Sequence, residues 1–107
     1  MTRESLFQSR LIYTLEQMFP GCLVIKLDAN NIQGIPDLLI LYNDRWAMLE
    51  VKKSADAPHQ PNQDYYVQMA NEMSYAAFIY PSNEEEILCG LQQALAPRRN
   101  TRIPQRE

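Results

Sequence analysis

The chain has few of the residues that identify common metal and thiol proteins. It contains two cysteines, Cys22 and Cys89, and one histidine, His59. The cysteines lack the paired spacing of a zinc site, and each stands among apolar residues, which is typical of buried free thiols. We therefore expect no function from the cysteines. His59 stands in a polar segment, which favours a solvated loop residue over a general base.

Long apolar runs are also missing. No stretch approaches the roughly 18 residues that a membrane span requires, and the start of the chain, Met1 to Glu4, has no apolar stretch of a secretory signal. The 46% apolar and 21% charged residues are ordinary for a soluble globular protein. We expect an intracellular protein with no membrane partner.

The chain also has no excess of positive charge, since its net charge is −3. This balance argues against a general nucleic-acid coat protein, although a local basic patch could still contact phosphates. The length of 107 residues predicts one domain, over residues 1–96, followed by a basic, flexible tail over 97–107. The arginines of this tail could contact phosphates or keep the chain end soluble; they are Arg98, Arg99, Arg102 and Arg106.

Apolar periodicity predicts an α/β domain with the element order αβββαβα. Both faces of the central hairpin are apolar, so we expect a mixed sheet flanked by helices on both sides. Ser82 to Glu85 has the pattern of a capping box before the last helix. The predicted elements are a helix over 3–19, a strand over 22–27, a hairpin over 37–52, a helix from Pro61 through Met73, a strand over 75–80 and a helix through Leu95.

The hairpin carries two carboxylates and a lysine. If its turn has two central residues, Asn43 and Asp44, antiparallel pairing places Asp37 directly opposite Glu50, with Cβ atoms about 4.5–5.5 Å apart. The strand period of two returns Lys52 to the same face. Two carboxylates that close repel each other unless a cation lies between them, which favours a divalent metal site.

This arrangement depends on register. A three-residue loop, Asn43-Asp44-Arg45, would put Asp37 and Glu50 on opposite faces unless a bulge restored the phase.

The hairpin motif resembles that of the PD-(D/E)xK nuclease superfamily, in the small single-domain form of VRR-Nuc and Holliday-junction-resolvase-like enzymes. The resemblance extends roughly from Glu4 to Leu95. It includes Gly34 before Pro36-Asp37, then Glu50-Val51-Lys52, a glutamine opening the following helix at Gln63, and Pro81-Ser82 before the last helix. It implies a restriction-endonuclease-like core and a metal-dependent DNA endonuclease that cleaves branched or double-stranded DNA.

The resemblance also implies residue roles. Asp37, Glu50 and the Val51 backbone carbonyl would bind Mg²⁺, with Mn²⁺ able to substitute, and Lys52 would position or activate the attacking water. Relatives supply a further carboxylate from the first helix, for which Glu4 is the best match and Glu16 the alternative. Gln63 would hold a phosphate or a metal-bound water, with Gln60 as its competitor, whereas strand alternation puts Lys53 on the opposite face from Lys52.

Several alternatives remain open at this level. The enzyme could be a nicking or homing-type endonuclease on duplex DNA, or the fold could serve as a catalytically silent nucleic-acid-binding module. Where some relatives carry arginines, residues 30–33 are polar but uncharged. Cutting both strands would need two active sites, so we expect a homodimer, with Tyr65, Tyr66 and Tyr80 as interface candidates.

Overall fold

The computed structural model describes residues 2–97, so residues 98–107 of the predicted tail lie outside the described part. The predicted α/β class with a mixed sheet and flanking helices is confirmed. In chain order the elements are α1 (Arg3–Met18), β1 (Leu23–Lys26), β2 (Leu38–Tyr42), β3 (Arg45–Val51), α2 (Gln63–Met73), β4 (Tyr75–Ile79), a 3₁₀ turn (Pro81–Asn83) and α3 (Glu84–Leu95).

The four strands form one sheet in the order β1-β2-β3-β4. The first three strands are antiparallel neighbours, whereas β4 lies parallel to β3 because α2 carries the chain back to the end of the sheet at which β3 begins. A helix that joins two neighbouring strands of one sheet in this way makes them parallel. Ile79 O accepts a hydrogen bond of 2.9 Å from Lys52 N, so this pairing continues just past the end of β3.

The register of the hairpin is the one predicted from a two-residue turn. Tyr42 pairs with Arg45 and Leu38 with Leu49, which brings Asp37 level with Glu50 one step further along. Asn43 adopts a left-handed conformation with φ of 57°, which asparagine tolerates better than most residues. The placement of both carboxylates at the open end of the hairpin therefore follows from the turn.

The sheet separates two apolar clusters. On one face, α1 and α3 cover the hairpin residues that alternate with the charged ones; the fully buried members include Leu11, Leu15, Leu38, Ile40, Leu49, Val51, Ile79, Leu91 and Leu95. On the other face, Val67 and Ala70 of α2 pack with Ala76, Met48 and Phe78. Asp37, Glu50 and Lys52 lie on the α2 side, because they alternate with the buried residues of the larger cluster.

Two expectations about local structure were wrong. The predicted capping box does not form at Ser82; instead the Asn83 side chain accepts a hydrogen bond from Tyr80 N at 2.8 Å and donates one to Phe78 O at 3.1 Å. Cys89 is exposed rather than buried, because it lies on the outer side of α3, whereas Cys22 is half-buried. Among residues 2–97, no helix has the length and apolar character needed to cross a membrane.

Gly34 allows the loop before β2 to approach the start of α2. Its φ is +91°, and a Cβ atom built there would lie 2.6 Å from Asn62 Cβ and 2.8 Å from Pro61 O. Gly21 has a similar φ of +90° but no atom within 4 Å of the same position. Both glycines therefore need the left-handed backbone conformation, but only Gly34 also needs the space that a side chain would fill.

Substitution of these glycines by alanine should destabilise the protein unequally. Gly21→Ala should lower the free energy of unfolding by about 1–2 kcal/mol, the cost of a left-handed alanine. Gly34→Ala should cost more, because Asn62 and Pro61 must also move. Urea denaturation of both variants measures the difference, and equal losses would contradict the proposed contact between the loop and α2.

Candidate functional site

A cavity of about 540 Å³ lies at the end of the hairpin where the two carboxylates meet. Three parts of the chain converge on it: the start of α1, the open end of the hairpin where β2 begins and β3 ends, and the loop that leads into α2 with the first residue of that helix. Its lining residues are Thr2, Arg3, Glu4, Asp37, Glu50, Lys52, Lys53, Ala57, Pro58, Gln60 and Gln63. All five side chains predicted from the sequence to act together thus line one cavity, although they are up to 59 positions apart, from Glu4 to Gln63.

Asp37 and Glu50 are carboxylates withdrawn from water. Glu50 is only 2% exposed, and its pKa is raised to about 8, first by burial and next by the charge of Asp37, while Lys52 opposes the shift. Burial also raises the pKa of Asp37, partly offset by the hydrogen bond of 2.9 Å that its Oδ2 accepts from Val51 N. The pair therefore holds a proton more tightly than isolated carboxylates do.

Lys52 is a buried cation held by three oxygen atoms. Its Nζ donates to Gln63 Oε1 at 2.7 Å and to Pro58 O at 3.1 Å, and lies 3.8 Å from Glu50 Oε2. Gln63 Nε2 in turn donates to the same Glu50 oxygen at 2.9 Å. Gln63 thus connects the lysine to the carboxylate, and these partners offset the cost of burying both charges.

The structure distinguishes the two glutamines. Gln63 makes side-chain contacts to both Lys52 and Glu50, whereas Gln60 donates its backbone N–H to Gln63 Oε1 at 2.9 Å. Gln60 also lines the cavity. Of the two, the Gln63 side chain is therefore the one bonded to the charged centre, and Gln60 helps to orient it.

The two candidate carboxylates of α1 lie in different places. Glu4 lines the cavity, and its negative charge contributes to the raised pKa of Glu50. Glu16 is exposed near the other end of the helix, where it acts on the pKa of Cys22 instead. Of the two, Glu4 is therefore the one that shares a cavity with the carboxylate pair.

One atom of the site bears directly on metal binding. Glu50 Oε1 is buried and has no hydrogen-bond partner, an arrangement that costs free energy when the carboxylate is ionised. A divalent cation is a natural partner for such an oxygen, and the Asp37 carboxylate is its neighbour. The residues present thus fit a hard cation that prefers oxygen ligands.

The number of ligands also decides which cation fits. Within residues 2–97, no three His, Cys, Asp or Glu side chains come together as a complete metal cage. Mg²⁺ is commonly bound through one or two carboxylates, with water and substrate phosphate oxygens supplying the rest. Asp37 and Glu50, with the Val51 carbonyl and Glu4 as further candidates, suit that mode better than a closed protein site.

Sequence reasoning missed some of the lining residues. Lys53 lies at the same cavity as Lys52, because β3 ends at Val51 and strict alternation no longer applies beyond it. Arg3 also lines the cavity, and only its position beside Glu4 could have suggested this. His59 does not line it: its ring stacks on Phe78 with centroids 4.1 Å apart, and its Nδ1 lies 2.7 Å from Asp64 Oδ1.

Comparisons of the chain with family models, with curated proteins and with solved structures found no match. The case for a function therefore depends on the geometry of the site and on the motif itself.

Stability should depend on pH through Glu50. Between about pH 4.5 and pH 8 the folded protein keeps a proton that the unfolded chain has released, so the free energy of unfolding should fall as pH rises through this range. One proton corresponds to a slope of up to about 1.4 kcal/mol per pH unit. Glu50→Gln should flatten the slope, because glutamine does not titrate.

Urea midpoints measured across this pH range test the expectation, with Glu16→Gln as the matched exposed control. An identical pH slope in wild-type protein and Glu50→Gln would contradict it.

Proposed function

We propose that the protein is a metal-dependent DNA endonuclease with a restriction-endonuclease-like core of the PD-(D/E)xK type. The observation that carries this proposal is the convergence of Asp37, Glu50 and Lys52 on one cavity, with one buried Glu50 oxygen left without a partner. The element order αβββαβα and the glutamine at the start of α2 agree with that assignment. The reaction type is inferred from the resemblance of the motif, and the side chains that line the cavity are of the kinds that this reaction needs.

The reaction is hydrolysis of a phosphodiester, in which water attacks phosphorus and a phosphorus–oxygen bond to the leaving strand breaks. A divalent cation, when bound, supplies positive charge to the phosphoryl oxygens and lowers the pKa of a bound water. Asp37, Glu50 and the Val51 carbonyl would hold the cation, with Glu4 assisting. These ligands are oxygen atoms of the kind that Mg²⁺ and Mn²⁺ prefer.

Lys52 and Gln63 act on the substrate side of this chemistry. The Lys52 ammonium places a fixed positive charge beside the carboxylate pair, where charge accumulates on the phosphoryl group. Gln63 keeps the side chains of Lys52 and Glu50 in fixed relative positions, because its amide group hydrogen-bonds to both. Holding Lys52 between Gln63 and Pro58 limits its movement, so little reorganisation is needed when substrate enters.

Structure-selective cleavage is the substrate preference that we propose. A domain of this size leaves little surface for reading a long sequence, which favours a branched DNA substrate over a long recognition site. A nicking or homing-type activity on duplex DNA is the alternative within the same chemistry. A silent binding module would have no need for two buried ionisable groups, Glu50 and Lys52, beside the half-buried Asp37, because their desolvation costs free energy.

Cleavage should require the divalent cation and the three central residues. Wild-type protein should cut DNA with Mg²⁺ or Mn²⁺ and not with EDTA, whereas Asp37→Asn, Glu50→Gln and Lys52→Met should each lose at least about 100-fold in rate. Supercoiled plasmid, linear duplex and a four-way junction serve as substrates, and circular dichroism checks that each variant is folded. Cleavage that survives Glu50→Gln or Lys52→Met would overturn the mechanism.

The substrates separate the remaining alternatives. Preference for the junction supports the structure-selective enzyme, and single-strand breaks in plasmid support the nicking enzyme. Binding of DNA with no cleavage under any metal would favour the silent module.

The two carboxylates of α1 give a matched pair of variants. Glu4→Gln should reduce cleavage or raise the Mg²⁺ concentration needed for it, because Glu4 lines the cavity. Glu16→Gln makes the same chemical change on the same helix and should leave both quantities unchanged. Titration of cleavage rate against Mg²⁺ measures the difference, and equal behaviour of the two variants would remove Glu4 from the site.

A homodimer is part of the proposal, because cutting both strands needs two centres. Of the three tyrosines expected at an interface, Tyr65 is 62% exposed, and Tyr66 and Tyr80 are half-buried. Sedimentation equilibrium gives the mass in solution. A monomer that still makes double-strand cuts would count against the dimer.

A further inference from the structure

A second cavity adjoins the candidate active site. It has a volume of about 320 Å³ and is lined by Arg3, Leu6, Phe7, Arg10, Lys53 and Pro81. Arg3 and Lys53 line both cavities, so the two form one continuous depression along the first half of α1. We call the second cavity the α1 groove.

Positive charge is concentrated along this depression. Residues 2–97 contain six lysines and arginines, and four of them line the two cavities: Arg3, Arg10, Lys52 and Lys53. The same part of the chain contains twelve carboxylates, of which only Glu4, Asp37 and Glu50 line either cavity. A protein with a net charge of −3 thus has four of its six described cations at these two cavities.

The cations of the α1 groove are available to a ligand. Arg3, Arg10 and Lys53 are exposed, and within residues 2–97 none of them takes part in an ion pair. The Arg10 guanidinium carbon lies over the ring of Phe7, 5.9 Å from the ring centroid.

The spacing along α1 suits an extended polyanion. Arg3 and Arg10 are seven residues apart, which is two helical turns or about 10.5 Å, on the same face of the helix. This is close to the rise of three base pairs measured along the axis of duplex DNA, at roughly 3.4 Å each. Leu6, which is 49% exposed, and Pro81 also line the groove and give it apolar surface suited to sugar and base edges.

We propose that the α1 groove binds the phosphodiester backbone of the DNA strand next to the scissile phosphate. Arg3 and Lys53 lie at the junction with the active site and hold the nearer phosphates, and Arg10 holds one further along. These residues position the strand and do not take part in bond cleavage. The identification of the ligand as DNA rests on the proposed function.

The test measures DNA binding in EDTA, so that it does not depend on cleavage. The affinity for a fluorescently labelled duplex is followed by anisotropy at several salt concentrations. The slope of log K against log salt should shrink by about 0.9 for Arg10→Gln and by about 1.8 for Arg3→Gln/Arg10→Gln, since each lost phosphate contact releases one fewer counterion. Both arginines are exposed, so circular dichroism should show folded variants.

Arg45→Gln is the matched control. It makes the same chemical and charge change at the hairpin turn, about 20 Å along β3 from Val51. Its salt slope should equal that of the wild type. Equal slopes for Arg10→Gln and Arg45→Gln, or no effect of the double substitution, would overturn the proposal.

The outcomes also separate this inference from the nuclease proposal. If no DNA is cut under any metal but Arg10→Gln lowers the salt slope of DNA binding, the proposed role of the α1 groove is supported and the nuclease assignment fails. If wild-type protein cuts DNA and Arg10→Gln binds it with an unchanged slope, the nuclease assignment stands and the groove fails. Absence of any binding to duplex DNA would overturn the groove.

Discussion

Burial of the Glu50 carboxylate is the constraint on which the rest of the site depends. A carboxylate that is 2% exposed must either keep a proton or find positive partners, and the chain supplies both conditions. Lys52 and Gln63 both reach one of its oxygens, and the other oxygen has no partner within the described residues. Replacing this group with an apolar one would be neutral or favourable for stability, so its presence favours a role in binding.

Several contacts far from Glu50 keep its partners in place. The loop before α2 is held by the stacking of His59 on Phe78 and by the Lys52 contact to Pro58 O. The close approach of Gly34 to Asn62 fixes where α2 begins, and Gln63 is its first residue. The position of the amide that joins Lys52 to Glu50 is therefore set by tertiary contacts as well as by the helix.

The hairpin could be predicted from the sequence because its geometry is local. Strand alternation and a two-residue turn determine that Asp37 is level with Glu50, and no distant residue is needed to fix that register. Lys53 could not be placed in this way, since the alternation ends with β3 and the following loop is shaped by contacts with Gly34 and Phe78. The failed capping box at Ser82 has a different cause: a 3₁₀ turn over Pro81–Asn83 precedes α3, and the Asn83 side chain bonds Tyr80 N and Phe78 O.

The net charge of the chain did not indicate the charge around the site, because it sums over surfaces whose local charges differ in sign. Nine of the twelve carboxylates of residues 2–97 lie outside the two cavities, and four of the six cations lie inside them. On the proposed function this separation has a consequence for binding. Most of the described surface repels a polyanion. DNA would therefore bind preferentially in orientations that bring it to the α1 groove and the Asp37–Glu50 pair. An acidic protein can thus guide DNA to its active site by excluding it from elsewhere.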